Sequence, residues 1–350
     1  MIESSHVGRL EVFAVPGIGE IHAGDDLAVI LLDALSTSDE KLVEGDVVVI
    51  TSKIVSKSEG RSGSVDDREA HVAAETIRPV AARRTGGGVS RIVECAAGPV
   101  MSGAGVDASN VSPGSILLLP KDPDSSARVL RTRLRSLTGA CVGVIISDTV
   151  GRPWRSGQTD FALGAAGVAV MEDLRGATDT HGRLLRASVR AVADEIAAGA
   201  DLVKGKLGAT PIAIVRGLPP TTLTDEDGPG AHVLVRPPQQ DWFRYGHVEA
   251  VRASLGIEPE DVAPPSVPID DIPTRLARTL MMARPGPRFR CRQDATRVRV
   301  DLLTPEPSTE DWVAFGILMQ RIWAAAWSED LTVTLGREQT VLTVKAVDLA

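Results

Sequence analysis

The stretch VGVIISDTVGRPWRSGQTD, residues 142–160, decides how the rest of the chain is read. Val142 to Ile146 form a continuous apolar run, the pattern of a strand buried on both faces. The run gives way to Ser147-Asp148-Thr149, so the pattern predicts a buried strand that stops at two hydroxyls and a carboxylate. Two arginines, Arg152 and Arg155, then flank Pro-Trp. A carboxylate at the end of such a strand is costly to desolvate unless it meets a cation. A single Asp in that place is more commonly a turn or helix cap. Asp148 alone therefore raises a suspicion and settles nothing.

Other apolar runs extend the pattern. Residues 9–15, Val47 to Thr51, Arg91 to Glu94, Ile116 to Leu119 and Pro211 to Arg216 read as strands. Helical spacing covers Asp25 to Leu35, and Ala187 to Lys204 reads as a strong helix. Residues 66–84 read as a polar helix. Asp122-Pro123-Asp124 opens a helix through Leu137, with Ser125 or Asp124 as its cap. Residues 219–230 are loop, and the Pro- and Asp-rich stretch 258–273 reads as a linker. Beyond it, 274–350 holds a strand (Val298 to Leu303), a long helix (Thr309 to Trp327) and two terminal strands. Helices and strands alternate irregularly, which predicts an α+β fold with mixed sheets. The expected division is 1–257, the linker 258–273, and a small C-terminal α+β unit of 274–350.

Composition narrows the function classes. The chain has 350 residues, 43% of them apolar, and a net charge of −8. That balance argues against a general nucleic-acid surface, which needs an excess of Lys and Arg. Cys95, Cys141 and Cys291 show no metal-ligand spacing and no disulfide framework. Cys141, beside an apolar run, reads as core. The N-terminus lacks a charged-then-apolar signal pattern, and no run approaches the roughly 20 apolar residues of a membrane span. A soluble cytoplasmic protein is expected.

Four polar stretches follow strands or glycine-rich runs: TSKIVSKSEGR, GAGVDASN, ISDTVGRPWR and DLRGATDTHGR. Asp107 lies among glycines that let backbone approach closely, although Asp107 to Asn110 equally suits an Asx turn. If Asp107 and Asp148 converge, a divalent ion between them removes their repulsion, and hard oxygen ligands suit Mg²⁺ or Mn²⁺. Thr149 offers a hydroxyl; Lys53, Lys57, Arg152 and Arg155 offer charge for phosphates. On charge alone, Lys57 to Arg61 is a solvated loop. His181 lacks a second His or Cys at ligand spacing and reads as a turn residue. The GxxG of Gly164 to Gly167 is weak evidence for any site. No GxxxxGK[ST] and no Gly-x-Ser-x-Gly are present. Trp312, Phe315, Ile322, Trp323 and Trp327 fall at helical spacing, the pattern of a core or partner-binding face.

Eight ordered stretches give these residues a common context: VPGIGEI, GDVVVITSKIVSKSEGR, AGVDASN, DPDSSA, ISDTVGRPWRSGQTDFALGAAG, DLRGATDTHGR, VADEIAAGADLVKGK and PIAIVRGL. Over about residues 9–256 they resemble the coenzyme F420-0:L-glutamate ligase (γ-glutamyl ligase) family. The resemblance implies two interleaved domains, a homodimer, and GTP with two divalent ions, Mg²⁺ or Mn²⁺. It leaves room for a K⁺ ion. It also implies joining of L-glutamate to the coenzyme precursor F420-0, then γ-linked additions, through an acyl phosphate. Asp107 and Asp148 match metal-binding aspartates, and Thr149 matches a residue at the second metal. Ile18, Gly19, Glu20 and Ile21, with Ser52, Lys53, Lys57 and Asn110, match nucleotide-binding positions, as does Lys206 in the loop Lys204 to Thr210. Arg152 and Arg155 belong to the same motif and are assigned beside Asp148 to the catalytic set. Asp179 is a motif residue expected to be structural or near the substrate. The tail is too short for the flavin-binding domain of some relatives, so no flavin is expected, and neither nucleic acid nor membrane is an expected partner. Two other readings stay open: a non-catalytic nucleotide-binding paralogue with a partner-binding tail, and an amide ligase for another carboxylate.

Overall fold

The computed structural model describes residues 8–259, 261–335 and 341–346. Its strands in chain order are β1 (Glu11–Ala14), β2 (Val47–Thr51), β3 (Ser62–Ser64), β4 (Thr76–Thr85), β5 (Gly88–Cys95), β6 (Val100–Ser102), β7 (Ser115–Leu117), β8 (Gly143–Arg152), β9 (Arg155–Ala166), β10 (Glu172–Asp173), β11 (Val189–Arg190), β12 (Ile212–Arg216), β13 (Phe289–Asp294), β14 (Arg297–Leu302), β15 (Leu331–Leu335) and β16 (Val341–Ala346). The helices are α1 (Leu27–Thr37), α2 (Ser52–Ser58), α3 (Arg68–Ala74), α4 (Pro123–Thr138), α5 (Val192–Lys204), α6 (His247–Ser254), α7 (Ile272–Ala283) and α8 (Thr309–Trp327). The fold is α+β. The chain divides into two compact units: residues up to 77 with 94–240, and 78–93 with everything from 241 onward.

The first unit is built on a mixed sheet in the order β1-β12-β2-β8-β9. Only β2 and β8 of these neighbours run parallel, with Thr51 opposite Ser147 at their C-terminal ends. Alternating residues of a strand face opposite sides of its sheet. Val47, Val49, Ile145, Ala213 and Val215 join one core with Ala193, Ile196, Ala197 and Ala200 of α5. Val48, Ile50, Val144, Ile146 and Ile214, of opposite parity, are buried as well. Burial on both faces explains why these strands read as unbroken apolar runs.

Helix α4 packs against β9, and Gly164 is why it can: a Cβ there would fall inside the backbone of Pro123. Asp122 caps α4 by accepting from the Ser125 N–H at 2.9 Å, with Pro123 in the first turn. The cap is thus Asp122 rather than Asp124 or Ser125. Asp124 instead turns inward and accepts from the Ala165 and Ala231 amides at 2.8 and 2.6 Å. Gly167, in the left-handed region, leaves room for Arg131, so both glycines of GxxG serve packing.

Three expectations change. The strand of residues 142–146 does not stop at Ser147 but runs on to Arg152, turns at Pro153-Trp154 and returns as β9. Cross-strand pairing of Thr149 with Asp160 supplies the backbone bonds that a cap would otherwise provide. Residues 66–84 are not one helix: α3 ends at Ala74 and β4 follows. Pro79 cannot donate in a helix interior, and Thr85-Gly-Gly-Gly88 closes a hairpin to β5. The helix expected from Ala187 begins at Val192, after the short β11.

The second unit has an antiparallel sheet in the order β13-β14-β16-β15. Leu276 of α7 and Phe315, Leu318 and Ile322 of α8 share a core with Val298, Val300, Leu331 and Val333. Ser308 and Asp311 form a capping box on α8. Glu329 is buried and receives Arg252 at 3.2 Å and Arg278 at 2.6 Å. The β4–β5 hairpin is tied within this unit. Glu249 accepts from the Ala82 amide and Arg83, each at 2.9 Å, and Arg84 reaches Asp270 at 3.0 Å. No described helix is long and apolar enough to cross a membrane. All three cysteines are free; Cys95 is the buried one, whereas Cys141 is only half-buried.

Candidate functional site

The C-terminal ends of β2 and β8 deliver the chemistry. β2 runs straight into α2, which places Ser52, Lys53 and Lys57 on its first two turns. Ser52 is buried. Lys53 Nζ makes an ion pair with Asp107, which hangs from a loop bridged to Leu117. Asp107 also accepts from the Ser109 hydroxyl at 2.7 Å and its amide at 2.9 Å. The Asx turn and the charged contact therefore coexist at one residue. Burial alone would lift the Asp107 carboxyl, but Lys53 and Ser109 outweigh it and hold it below the usual range. Asn110 follows with φ of 56°, a backbone conformation that Asn tolerates better than most residues.

Asp148 stands on β8 and accepts from the Thr149 amide at 2.8 Å. Burial pushes its carboxyl up; Lys53 opposes this, while the Asp160 and Asp107 carboxylates add to it. Three carboxylates thus feel one another at a single sheet end. The Thr149 hydroxyl donates to Asp160 at 2.8 Å and accepts from Lys206.

Beneath Thr149 lies a charged group that sequence reasoning missed. Asp160 is 5% exposed and Lys204 is 4% exposed. Lys204 Nζ lies 2.8 Å from Asp160 and 2.7 Å from the Ser147 hydroxyl, which itself donates to Asp160 at 2.9 Å. Burial would raise the Asp160 carboxyl, but Lys204, with Thr149 and Ser147, holds it below its ordinary range. A signal existed: Lys204 continues the buried stripe Ala193, Ile196, Ala197 and Ala200, where a lysine needs a partner.

Other predicted residues sit apart. Lys57 pairs with Glu20 at 2.6 Å and lowers its carboxyl. Ile18 and Ile21 are buried while Gly19 and Glu20 are exposed, so Glu20 presents the one polar side chain of this segment. Arg152 and Arg155 face each other across the exposed turn of the β8–β9 hairpin. Four residues of strand separate Arg152 from Asp148, about 13 Å. The structure therefore does not bring these arginines to the carboxylates. Asp179 accepts from the amides of His181 at 2.8 Å and Arg183 at 2.9 Å, a local turn that also accounts for His181.

Among the described residues no three His, Cys, Asp or Glu side chains converge as a metal cage. The donor set at the β8 end nevertheless fits a hard divalent cation. Asp107, Asp148 and Thr149 offer only oxygen, and the half-buried Asp148 carboxyl lacks a cation in direct contact among its described partners. Lys53 now occupies Asp107, and Lys206 occupies Thr149.

Comparison with known proteins fits this arrangement. A family model described as F420-0:Gamma-glutamyl ligase matches residues 17–217. The chain is similar to a coenzyme F420:L-glutamate ligase of Methanopyrus kandleri, 40% identical over 255 residues, 67% of this chain and 98% of that protein. A protein of the same name from Archaeoglobus fulgidus is 42% identical over 225 residues, covering 60% and 88%. Another from Methanothermobacter thermautotrophicus is 38% identical over 255 residues, covering 67% and 99%.

Proposed function

Because this chain belongs to the F420-0:gamma-glutamyl ligase family, we propose that it is a GTP-dependent ligase joining L-glutamate to coenzyme F420-0, first by an amide and then by γ-glutamyl links. The observation that carries the reading is the half-buried Asp148, whose carboxyl feels two lysine-held carboxylates, Asp107 with Lys53 and Asp160 with Lys204. We place the enzyme in the cytoplasm as a homodimer.

In this reading Asp107, Asp148 and Thr149 hold the divalent ions, Mg²⁺ or Mn²⁺. Bound there, the ions offset charge between the γ-phosphate and an incoming carboxylate. Lys53 and Lys206, released from Asp107 and Thr149, draw the phosphate oxygens, and Lys57 releases Glu20 to do the same. The backbone of Ile18 to Ile21 and the Asn110 side chain orient the nucleotide. A carboxylate oxygen of the acceptor attacks the γ-phosphorus and GDP leaves. The glutamate amine nitrogen then attacks the acyl carbon, phosphate leaves, and the amine loses its proton. Arg152 and Arg155 on the exposed hairpin turn collect the acidic acceptor from solution.

The test is a mass-resolved assay of the purified protein with F420-0, L-glutamate, GTP and Mn²⁺. One-glutamate mass increments with GDP release, absent without metal or with ATP in place of GTP, are expected. No increment while GTP binds would overturn the acceptor assignment; increments with ATP alone would overturn the nucleotide.

A further inference from the structure

Helix α8 splits the aromatic stripe seen in its sequence. Phe315 and Ile322 enter the core of the second unit. Trp312, Trp323 and Trp327 do not: they are 54%, 55% and 60% exposed, with Val313 and Ile317 at 59% and 58% beside them. Three of the chain's five tryptophans thus lie on the solvent side of one helix. From Trp312 to Trp327 the exposed positions of α8 are Trp312, Val313, Gly316, Ile317, Gln320, Trp323 and Trp327, and none is charged. Most solvent-facing helix surfaces carry charge, and a contiguous apolar patch of several hundred Å² marks an interaction site.

The face is nearly the same read in either direction from Gln320. Ile317 and Trp323 stand three residues to either side, Gly316 and Ala324 four, Val313 and Trp327 seven. Steps of three, four and seven are those that keep residues on one helical stripe. An antiparallel pair of α8 helices with its two-fold axis at Gln320 therefore sets an aliphatic side chain beside an indole on both flanks. It sets small against small, Gly316 against Ala324, where the backbones approach. It sets amide against amide at the centre, where a lone polar residue fixes register. A closed two-fold contact must be self-complementary in this way.

Size agrees. With indoles of up to about 250 Å² each, the exposed face offers on the order of 600 Å² per copy, and two copies bury roughly 1,200 Å², above the ~1,000 Å² of a specific contact. A 19-residue helix spans about 28 Å, enough for the whole face to engage. We propose that α8 pairs with α8 of a second copy of this chain, antiparallel about Gln320. This contact lies outside the matched family region of residues 17–217. Added to the homodimer contact proposed for the ligase region, it makes a dimer of dimers.

Sedimentation of the full chain at micromolar concentration tests it. The parent mass is expected to be twice that of Trp323→Glu and of Ile317→Glu, with far-UV circular dichroism unchanged. Under mild oxidation Gln320→Cys is expected to form an intermolecular disulfide and Val313→Cys is not, with the parent chain and its own three cysteines as blank. Equal masses for parent and variants overturn the pairing. Cross-linking of Val313→Cys as readily as Gln320→Cys overturns the antiparallel arrangement. Unchanged mass with tryptophan-dependent binding to phosphatidylcholine vesicles assigns the face to a lipid surface instead.

Discussion

At the scale of single residues, the site depends on charges that answer one another. Asp148→Asn keeps the shape of the side chain and removes its charge; glutamate addition is expected to fall below detection while thermal unfolding stays cooperative. On the proposed reading Asp160 acts through Thr149, whose hydroxyl it accepts from, and is a positioning residue. Asp160→Asn is expected to weaken Mn²⁺ binding 10- to 100-fold, the usual cost of losing an outer-shell partner, as read by loss of the free-Mn²⁺ electron paramagnetic resonance signal. Lys204→Met strands a buried carboxylate and is expected to cost about 3–5 kcal/mol in urea unfolding. Adding Asp160→Asn should return part of that loss, because the double variant buries no unpaired charge. Cys95 tests burial independently: its thiol is pushed up to about 11 from 9.0 by desolvation. It should resist alkylation at pH 8 in the folded chain and react on unfolding. Because the folded pKa is raised, this group's contribution to stability is full below about pH 9 and is lost as the pH climbs toward 11.

At the scale of elements, the buried strands were legible and the polar ones were not. Val47 to Thr51, Val142 to Ile146 and Pro211 to Arg216 announce themselves because residues on both faces of their sheet are buried. The extension of β8 past Ser147 was hidden, since its last residues are half-buried or exposed and lean on β9 for their bonds. β4 was hidden by its arginines, although Pro79 and the glycine turn argued against a helix there. In the site, Asp107, Asp148, Thr149 and Lys53 were readable from motif order. Asp160 and Lys204 were not, because their pairing joins a strand and a helix end 44 residues apart. The packing of α4 on β9 carries its own test. Gly164→Ala puts a methyl into the Pro123 backbone, and the forced shift is expected to cost about 1–3 kcal/mol, measured as a lower urea midpoint with unchanged slope.

At the scale of the whole molecule, the second unit is not a simple appendage. Residues 78–93 come from the middle of the family-matched region yet are tied to 241–270 by Glu249, Pro265 and Asp270. Truncation after residue 259 removes the Arg84 partners Pro264, Pro265 and Asp270. Hydrogen exchange at the Arg84 amide is expected to rise at least tenfold in the truncated chain, while the amides of β2 and β8 keep their protection. Equal protection at Arg84 in both chains would show that the hairpin holds without the tail.

The same interleaving has a consequence for synthesis. Arg84 leaves the ribosome 180 residues before the Pro264 carbonyl that its guanidinium contacts. At about 5–20 residues per second, that delay is on the order of ten to forty seconds. During that interval the β4–β5 hairpin lacks its C-terminal partners, and Val80 and the aliphatic stems of its arginines face solvent. The nascent chain is thus most exposed to chaperone capture or aggregation after this hairpin has emerged and before residues 264–270 follow it.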